Sequence, residues 1–159
     1  MGRKAIVTGG AGFIGSHLVD LLVDQGWELL VVDDLSSGRL EHIAAARRRG
    51  KVATLIEDVR APELADAAVR FGPEIVFHLA AQSKVRPSVE DPLKDASINV
   101  LGTVNVLQAA VRSGARRVVF ASSGGAIYGG GAKLPATERT AKRPESPYGI
   151  TKKIVEDYF

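Results

Sequence analysis

The segment AIVTGGAGFIGSHLVDLL, Ala5 to Leu22, constrains this chain most, because Gly9, Gly12 and Gly15 recur at every third position between an apolar run and an amphipathic one. If the apolar run is a strand and the amphipathic one a helix, each glycine has its own geometric task. Gly9 permits a tight turn, Gly12 lets a ligand approach the backbone where a Cβ would collide, and Gly15 lets the helix pack close to the sheet. The start of such a helix offers unpaired N–H groups and positive dipole to a pyrophosphate. A glycine triplet alone describes a bare tight turn equally well, so the surrounding sequence has to decide.

Along the chain, short β-branched runs alternate with segments whose apolar residues fall three and four apart. The runs are KAIVT, ELLVVD, KVATLIE, EIVFHLA and RRVVFAS. This alternation predicts βαβ units and a parallel sheet. The runs are nearly continuous in apolar residues, as expected of strands covered by helices on both faces. A helix is predicted from Gly12 to Gln25, carrying Leu18, Leu21 and Leu22 and closing at Gly26, and another opens with Pro62 in its first turn. Gly129 to Pro147 predicts a surface loop, followed by a last helix that starts around Tyr148 and is cut off at Phe159. With 159 residues, 45% hydrophobic and 25% charged, the composition is that of one globular domain with a core.

Other classes are excluded on the same residues. No apolar run reaches the roughly 18 residues that a membrane span needs. MGRK leads into AIV without signal-peptide architecture, so a cytoplasmic protein is expected. Gly2 opens no myristoylation pattern, because Ile6 stands where that pattern needs Ser or Thr. The chain has no cysteine, hence no disulfide or thiolate chemistry. A net charge of +3 permits an anionic ligand, but acidic residues are mixed in throughout and no nucleic-acid surface is expected. His17, His42 and His78 are too dispersed for a metal site, and His78 is read as satisfying backbone groups at a strand end. In ARRRG, the cations before Gly50 are read as solvated side chains complementing a helix C-terminus.

Two further features raise the odds of a dinucleotide. The second predicted strand ends in Asp33 and Asp34, and Asp33 stands near the position, roughly 20 residues past the last glycine, where a ribose-binding acid belongs. A carboxylate there accepts hydrogen bonds from ribose hydroxyls and repels a 2′-phosphate, which favours NAD over NADP. The alternative is that Asp33 caps the DLSSG turn. Near the end, YGITK places Tyr148 and Lys152 one helical turn apart on the same face, about 6 Å along the axis. An ammonium and an oxidised nicotinamide beside a phenol both favour phenolate, so Tyr148 can act as a base, while Lys152 holds the nicotinamide ribose.

Taken in order, TGGAGFIGSHL, VVDDLSSG, EDVR, VFHLAAQ, NVLGTVNVL, VVFASSGGAIYG and SPYGITKK resemble the extended short-chain dehydrogenase/reductase family, most closely its UDP-glucose 4-epimerases. The resemblance runs over essentially every segment. It implies an α/β Rossmann fold, a doubly wound parallel sheet of order 3-2-1-4-5 with helices on both faces. Residues 1–159 would be the NAD-binding domain, the N-terminal half of an epimerase-like protein whose substrate domain is missing. NAD would lie at the carboxyl ends of the strands, against Gly9, Gly12, Gly15, Asp33 and the turn residues Asp34, Ser36, Ser37 and Gly38. By the same likeness Asp58 and Val59 line the adenine, Leu79, Ala80 and Ala81 the dinucleotide, and Asn99 the cofactor side of the neighbouring helix. Phe13 and Ile14 are cofactor contacts or helix-packing residues. At Ser83 several epimerases carry a cofactor-contacting lysine, which here comes one position later as Lys84.

For the chemistry, the resemblance implies a hydroxyl after the fifth strand that hydrogen-bonds the reacting sugar hydroxyl. Ser123 is the candidate and Ser122 the alternative. Ser123 precedes Tyr128 by one position more than is common in the family. A one-residue bulge, with Gly124 and Gly125 supplying unusual backbone angles, would restore its aim. The related dehydratases and decarboxylases typically carry a carboxylic acid just after this hydroxyl, where SSGGA has none, which favours an epimerase. The implied reaction is transient oxidation at carbon 4 of a UDP-hexose, with Tyr148 taking the 4-hydroxyl proton and no net redox change. A non-catalytic NAD-binding regulatory or scaffold module is the other class, although it has no need of Ser123, Tyr148 and Lys152. DASINVLGTVNVLQAAVRSG lies where family members pair helices, which implies a homodimer; packing on the sheet explains many of the same positions.

Overall fold

The computed structural model describes residues 2–159. Five strands, β1 (Lys4–Thr8), β2 (Glu28–Val32), β3 (Val52–Leu55), β4 (Ile75–His78) and β5 (Arg117–Phe120), form one sheet in the order β3-β2-β1-β4-β5. This is the order that the resemblance implies, and every pairing is parallel. The crossovers carry α1 (Phe13–Asp24), α2 (Ala44–Arg49), α3 (Glu63–Phe71) and α6 (Gly102–Ser113). Between β4 and α6 lie α4 (Val85–Glu90), α5 (Pro92–Ala96) and a π-helical turn over Ser97–Leu101; after β5 come α7 (Gly124–Ile127) and α8 (Pro147–Glu156). The chain divides into two compact units. The first runs through Ala80 and resumes over Asn105–Phe120, and holds the whole sheet; the second comprises Ala81–Val104 and Ala121–Phe159.

Alternation along β1 and β2 sorts the first unit's core into two layers. Ala5, Val7, Leu29 and Val31 face α1 and α2, packing with Val19, Leu22, Ile43 and Ala46. Ile6, Leu30 and Val32 face the other way, onto Leu64 and Ala68 of α3 and Val106 and Ala110 of α6. Both faces are thus covered at the sheet centre, which is why those strands read as unbroken apolar runs. The edges differ from that expectation. Ala53 of β3 and Arg117 and Val119 of β5, on the two edge strands, are exposed, and the alternation along β5 puts Arg117 and Val119 on one face.

Local details adjust the helix boundaries. The stripe that α1 buries is Val19, Leu22 and Val23, one position round from the predicted one, and Leu21 is exposed. Gly26 closes the helix as expected, in the left-handed region at φ +78°. Pro62 is the N-cap of α3 rather than part of its first turn. The last helix begins at Pro147, behind a Ser146 cap whose hydroxyl accepts the Gly149 N–H, and ends at Glu156. The arginines before Gly50 are exposed at the C-terminus of α2, and Arg49 pairs with Asp20 and Asp24 of α1. His78 is buried at the end of β4 with Nδ1 2.7 Å from the Thr8 hydroxyl, a side-chain partner on the neighbouring strand, and its ring lies against Phe120.

At Gly15 the first turn of α1 meets the turn that precedes it. A Cβ there would sit inside van der Waals contact of the Gly9 carbonyl oxygen and 2.7 Å from the Gly10 Cα, both backbone atoms that cannot swing aside. Gly15→Ala is therefore expected to destabilise the chain by about 3 kcal/mol or more, read as a lowered urea midpoint at unchanged slope.

Candidate functional site

In the first unit the glycine turn is built as its spacing predicts. Gly9 takes φ +68°, and a Cβ on it would lie 2.7 Å from the Ala80 N, so it is doubly closed to other residues. Gly12 is the N-cap of α1, and a Cβ there meets only the Gly9 oxygen, at 3.2 Å. The space in front of it is open. No side chain caps this helix end and its first turn carries no acid, so its N–H groups and positive dipole face outward uncompensated. Phe13 and Ile14 are 79% and 65% exposed and belong to the helix's outer face, not to its packing stripe.

Asp33 is buried at the end of β2. Its Oδ2 accepts the Ala11 N–H at 2.9 Å and its Oδ1 the Leu35 N–H at 2.9 Å, so it does cap the turn as the plainer reading proposed. Each oxygen keeps a second lone pair for a further donor. Leu35 takes φ +58° in this turn, and Gly38 lies so close that a Cβ on it would come within 2.7 Å of Asp33 Oδ1. Asp34 is exposed and accepts from the Ser36 N–H and hydroxyl; Ser37 is also exposed. Asp58 is clamped by Arg60 through Nε at 2.9 Å and Nη2 at 2.6 Å, and these bonds hold its carboxyl below the usual range. Val59 is buried in the core, and its carbonyl and that of Ala61 both accept from Asn105 Nδ2. Leu79 and Ala80 are half-buried beyond β4, where the Ala80 N–H reaches Thr8 Oγ1 at 3.3 Å.

The second unit holds the remaining candidates. Tyr148 and Lys152, one turn apart on α8, are 8% and 4% exposed, and the Lys152 Nζ lies 5.9 Å from the Tyr148 ring centroid. Lys152 donates to the Ala121 carbonyl at 2.9 Å. Burial pulls its ammonium down to about 8, against the Asp95 carboxylate, which pulls the other way. Ser123 is the half-buried N-cap of α7, and its carbonyl accepts from Ala126 and Ile127 while its hydroxyl caps nothing. The SSGGA stretch is therefore a helical turn instead of a bulge, and Gly124 and Gly125 are absent from the glycines with positive φ. Ser122 is exposed and its hydroxyl donates to Glu156, which also pairs with Lys142. Burial pushes the Glu156 carboxyl up, and these two partners outweigh it and leave it below its ordinary value. Asn99, in the π-helical turn, exchanges hydrogen bonds with the Gln82 backbone, Oδ1 accepting at 2.9 Å and Nδ2 donating at 3.0 Å. Ala81 is half-buried, while Ser83 and Lys84 are exposed.

Sequence reasoning passed over the polar residues that brace this unit. Asp95, Ser88 and Thr151 are buried, and Ser88 Oγ accepts the Tyr148 N–H at 3.1 Å. Asp95 lies four before Asn99, the spacing that puts two residues on one helix face, and that was the available signal. Among the described residues no group of His, Asp or Glu is placed to hold a metal, and no helix is long and apolar enough to cross a membrane.

A parallel sheet whose first crossover starts in an open glycine turn, followed by an acid at the end of the second strand, defines a dinucleotide-binding protein. The model of the NAD dependent epimerase/dehydratase family matches residues 5–159, and the chain belongs to that family. A UDP-glucose 4-epimerase of Mycolicibacterium smegmatis is 44% identical over 98% of this chain and 50% of its own length. The crystal structure of a UDP-glucose 4-epimerase from Thermotoga maritima with UDP-glucose superimposes with a TM-score of 0.92 at 40% identity, covering 98% of this chain and 50% of that one. A Thermus thermophilus UDP-glucose 4-epimerase in complex with NAD gives 0.88 at 41% identity, covering 98% and 49%. The chain spans about half the length of the curated relatives it matches.

The lowered Lys152 value carries a pH signature. The buried ammonium destabilises the folded state fully below pH 8, and the penalty is relieved as pH rises from about 8 towards the unfolded value of 10.5. Compared with Lys152→Met, which cannot titrate, the wild-type chain should gain about 3 kcal/mol of relative stability across that window. Urea denaturation of both proteins at pH 7, 9 and 10.5 measures it.

Proposed function

We propose that this chain is the NAD-binding half of a nucleotide-sugar 4-epimerase of the UDP-glucose/UDP-galactose type. The observation that carries the reading is the buried Tyr148 and Lys152 pair on one face of α8, in a chain that also has the open, uncapped glycine turn. The residues fit the cofactor. The α1 N-terminus and Gly12 would receive the pyrophosphate, and the free lone pairs of Asp33 the adenosine ribose hydroxyls, with Asp34, Ser36, Ser37 and Gly38 completing that turn. Asp58 and Val59 would line the adenine, Phe13, Ile14, Leu79, Ala80, Ala81, Ser83 and Asn99 the rest of the cofactor, and Ser122, Tyr148 and Lys152 its nicotinamide end.

Bound NAD supplies reversible oxidation at carbon 4 of the sugar. The Tyr148 phenol holds and moves the proton of the 4-hydroxyl, giving it back once the configuration has inverted. The Lys152 ammonium lies beside the ring. Ser123, whose hydroxyl no cap engages, donates to the same sugar oxygen, whereas the Ser122 hydroxyl is engaged by Glu156. Absence of a carboxylic acid within SSGGA supports epimerisation over dehydration. The reading includes a cytoplasmic homodimer. Val89, Leu93 and Leu101 of the second unit are 61%, 83% and 63% exposed, which leaves apolar surface for a second copy, and a cysteine-free chain suits a reducing compartment.

Calorimetry on the 159-residue chain should show NAD binding at one site, with NADP weaker. Gly12→Ala should lower NAD affinity roughly tenfold or more while leaving the fold in place, because the one protein atom its Cβ meets is the Gly9 oxygen, at 3.2 Å, and the rest of its space is the ligand's. UDP-galactose conversion is then assayed with this chain and with any longer form of the gene product, and Tyr148→Phe should cut it by about a hundredfold or more. NAD binding without conversion by the longer form would reject the enzyme reading.

A further inference from the structure

Asp95 is the one carboxylate in the second unit with no exposed surface, and nothing in the proposed chemistry uses it. Three neutral donors converge on it. Gln82 Nε2 at 2.8 Å and Asn99 Nδ2 at 3.1 Å reach Oδ1, and the Thr151 hydroxyl reaches Oδ2 at 2.8 Å. Thr151 sits next to Lys152 in sequence and also lies 3.0 Å from the Tyr148 carbonyl. Asp95 is thereby joined to the turn of α8 that separates Tyr148 from Lys152.

The charged surroundings are sparse. Helix α5 packs on α4, the π-helical turn and α8, and α8 packs in addition on α7. On α4, Arg86 and Glu90 pair with each other at the surface. Asp91 caps α5, and Lys94 on α5 is exposed. The π-helical turn and α7 carry no ionisable side chain. On α8, Glu156 is taken by Lys142 and Ser122, Lys153 is half-buried, and the buried ionisable groups are Tyr148 and Lys152. Three neutral donors do not cancel a buried carboxylate, and the Asp95 carboxylate raises the Lys152 value against the effect of burial.

We propose that Asp95 is a positioning residue for the Tyr148 and Lys152 pair: through Thr151 it fixes the register of α8 against α5, and its carboxylate is the buried counter-charge of the Lys152 ammonium. The inference rests on the reading of these two residues as the pair that meets the sugar hydroxyl and the nicotinamide end. It accounts for what opposes burial at a lysine that stays a cation at neutral pH.

The test follows the Lys152 signal by NMR in the chain labelled with 13Cε-lysine, assigned by its loss in Lys152→Met. The wild-type midpoint is expected near pH 8. Asp95→Asn, which keeps the shape and one acceptor, should lower it by about one pH unit, and Thr151→Val, which keeps the charge but breaks the link to α8, should lower it by clearly less. A midpoint unmoved in Asp95→Asn, or moved equally by Thr151→Val, overturns the proposal. Urea denaturation of Asp95→Asn, Lys152→Met and the double variant supplies a readout should Asp95→Asn fold too poorly to titrate. The loss from Asp95→Asn should be smaller in the Lys152→Met background than in the wild type. Additive effects, or a double variant no more stable than Asp95→Asn alone, overturn it as well. All of these are measured without NAD, so a failure of cofactor binding leaves them standing, and an inert Asp95 leaves the cofactor reading standing.

Discussion

The close approach of α1 to the turn that feeds it governs what the first unit can be. With hydrogen at Gly15, the helix begins while the chain is still against the end of β1, and its unpaired N–H groups stay beside the strand ends. Any larger residue would force the helix away, and the Gly12 opening would move with it. The same contact fixes the face that α1 lays on the sheet, so Val19, Leu22 and Val23 enter the core and Phe13 and Ile14 remain outside. One steric condition therefore sets both the packing of a layer and the shape of the cradle.

The second unit is held by different means. Beside the buried Ile127, Tyr148 and Val155, its interior holds a set of polar groups that satisfy one another, Gln82, Asp95, Asn99 and Thr151, while Ser88 accepts from the Tyr148 N–H. Buried hydrogen-bonded groups are directional in a way that aliphatic packing is not, and every partner lost leaves a desolvated atom behind. Such an interior suits a place where side chains must keep fixed angles. The sheet unit, with interdigitated aliphatic layers, needs only shape.

Much of the first unit was legible in the sequence because its demands are residue-specific and local. Only glycine suits the Gly9 and Gly15 positions, and β-branched runs between helical stripes leave few alternatives to a parallel sheet. The residues that were misread depend on neighbours distant along the chain. RRVVFAS reads as a strand covered on both faces, whereas Arg117 and Val119 of β5 are exposed at the sheet's edge. A one-residue bulge was expected in SSGGA, since nothing in those five letters announces that the Ser123 carbonyl closes a helical turn. Asp33 was framed as ribose acid or turn cap, and its two oxygens leave room for both. The Asp95 network was hard to see for a simpler reason: Thr151 lies 56 positions from Asp95, and no spacing rule links the segment that holds one to the segment that holds the other.

The contact between Gly38 and the Asp33 carboxylate makes the acid and the bend that follows it a matched set. While aspartate occupies position 33, position 38 has no room for a side chain. Trading that acid for a shorter residue, as acceptance of a 2′-phosphate would demand, vacates the very space that a side chain at 38 would need. Reprogramming dinucleotide choice in this chain is therefore a two-site problem with a preferred order of steps, the acid first and the glycine second, and selection walking the other way would meet a clash at its opening move.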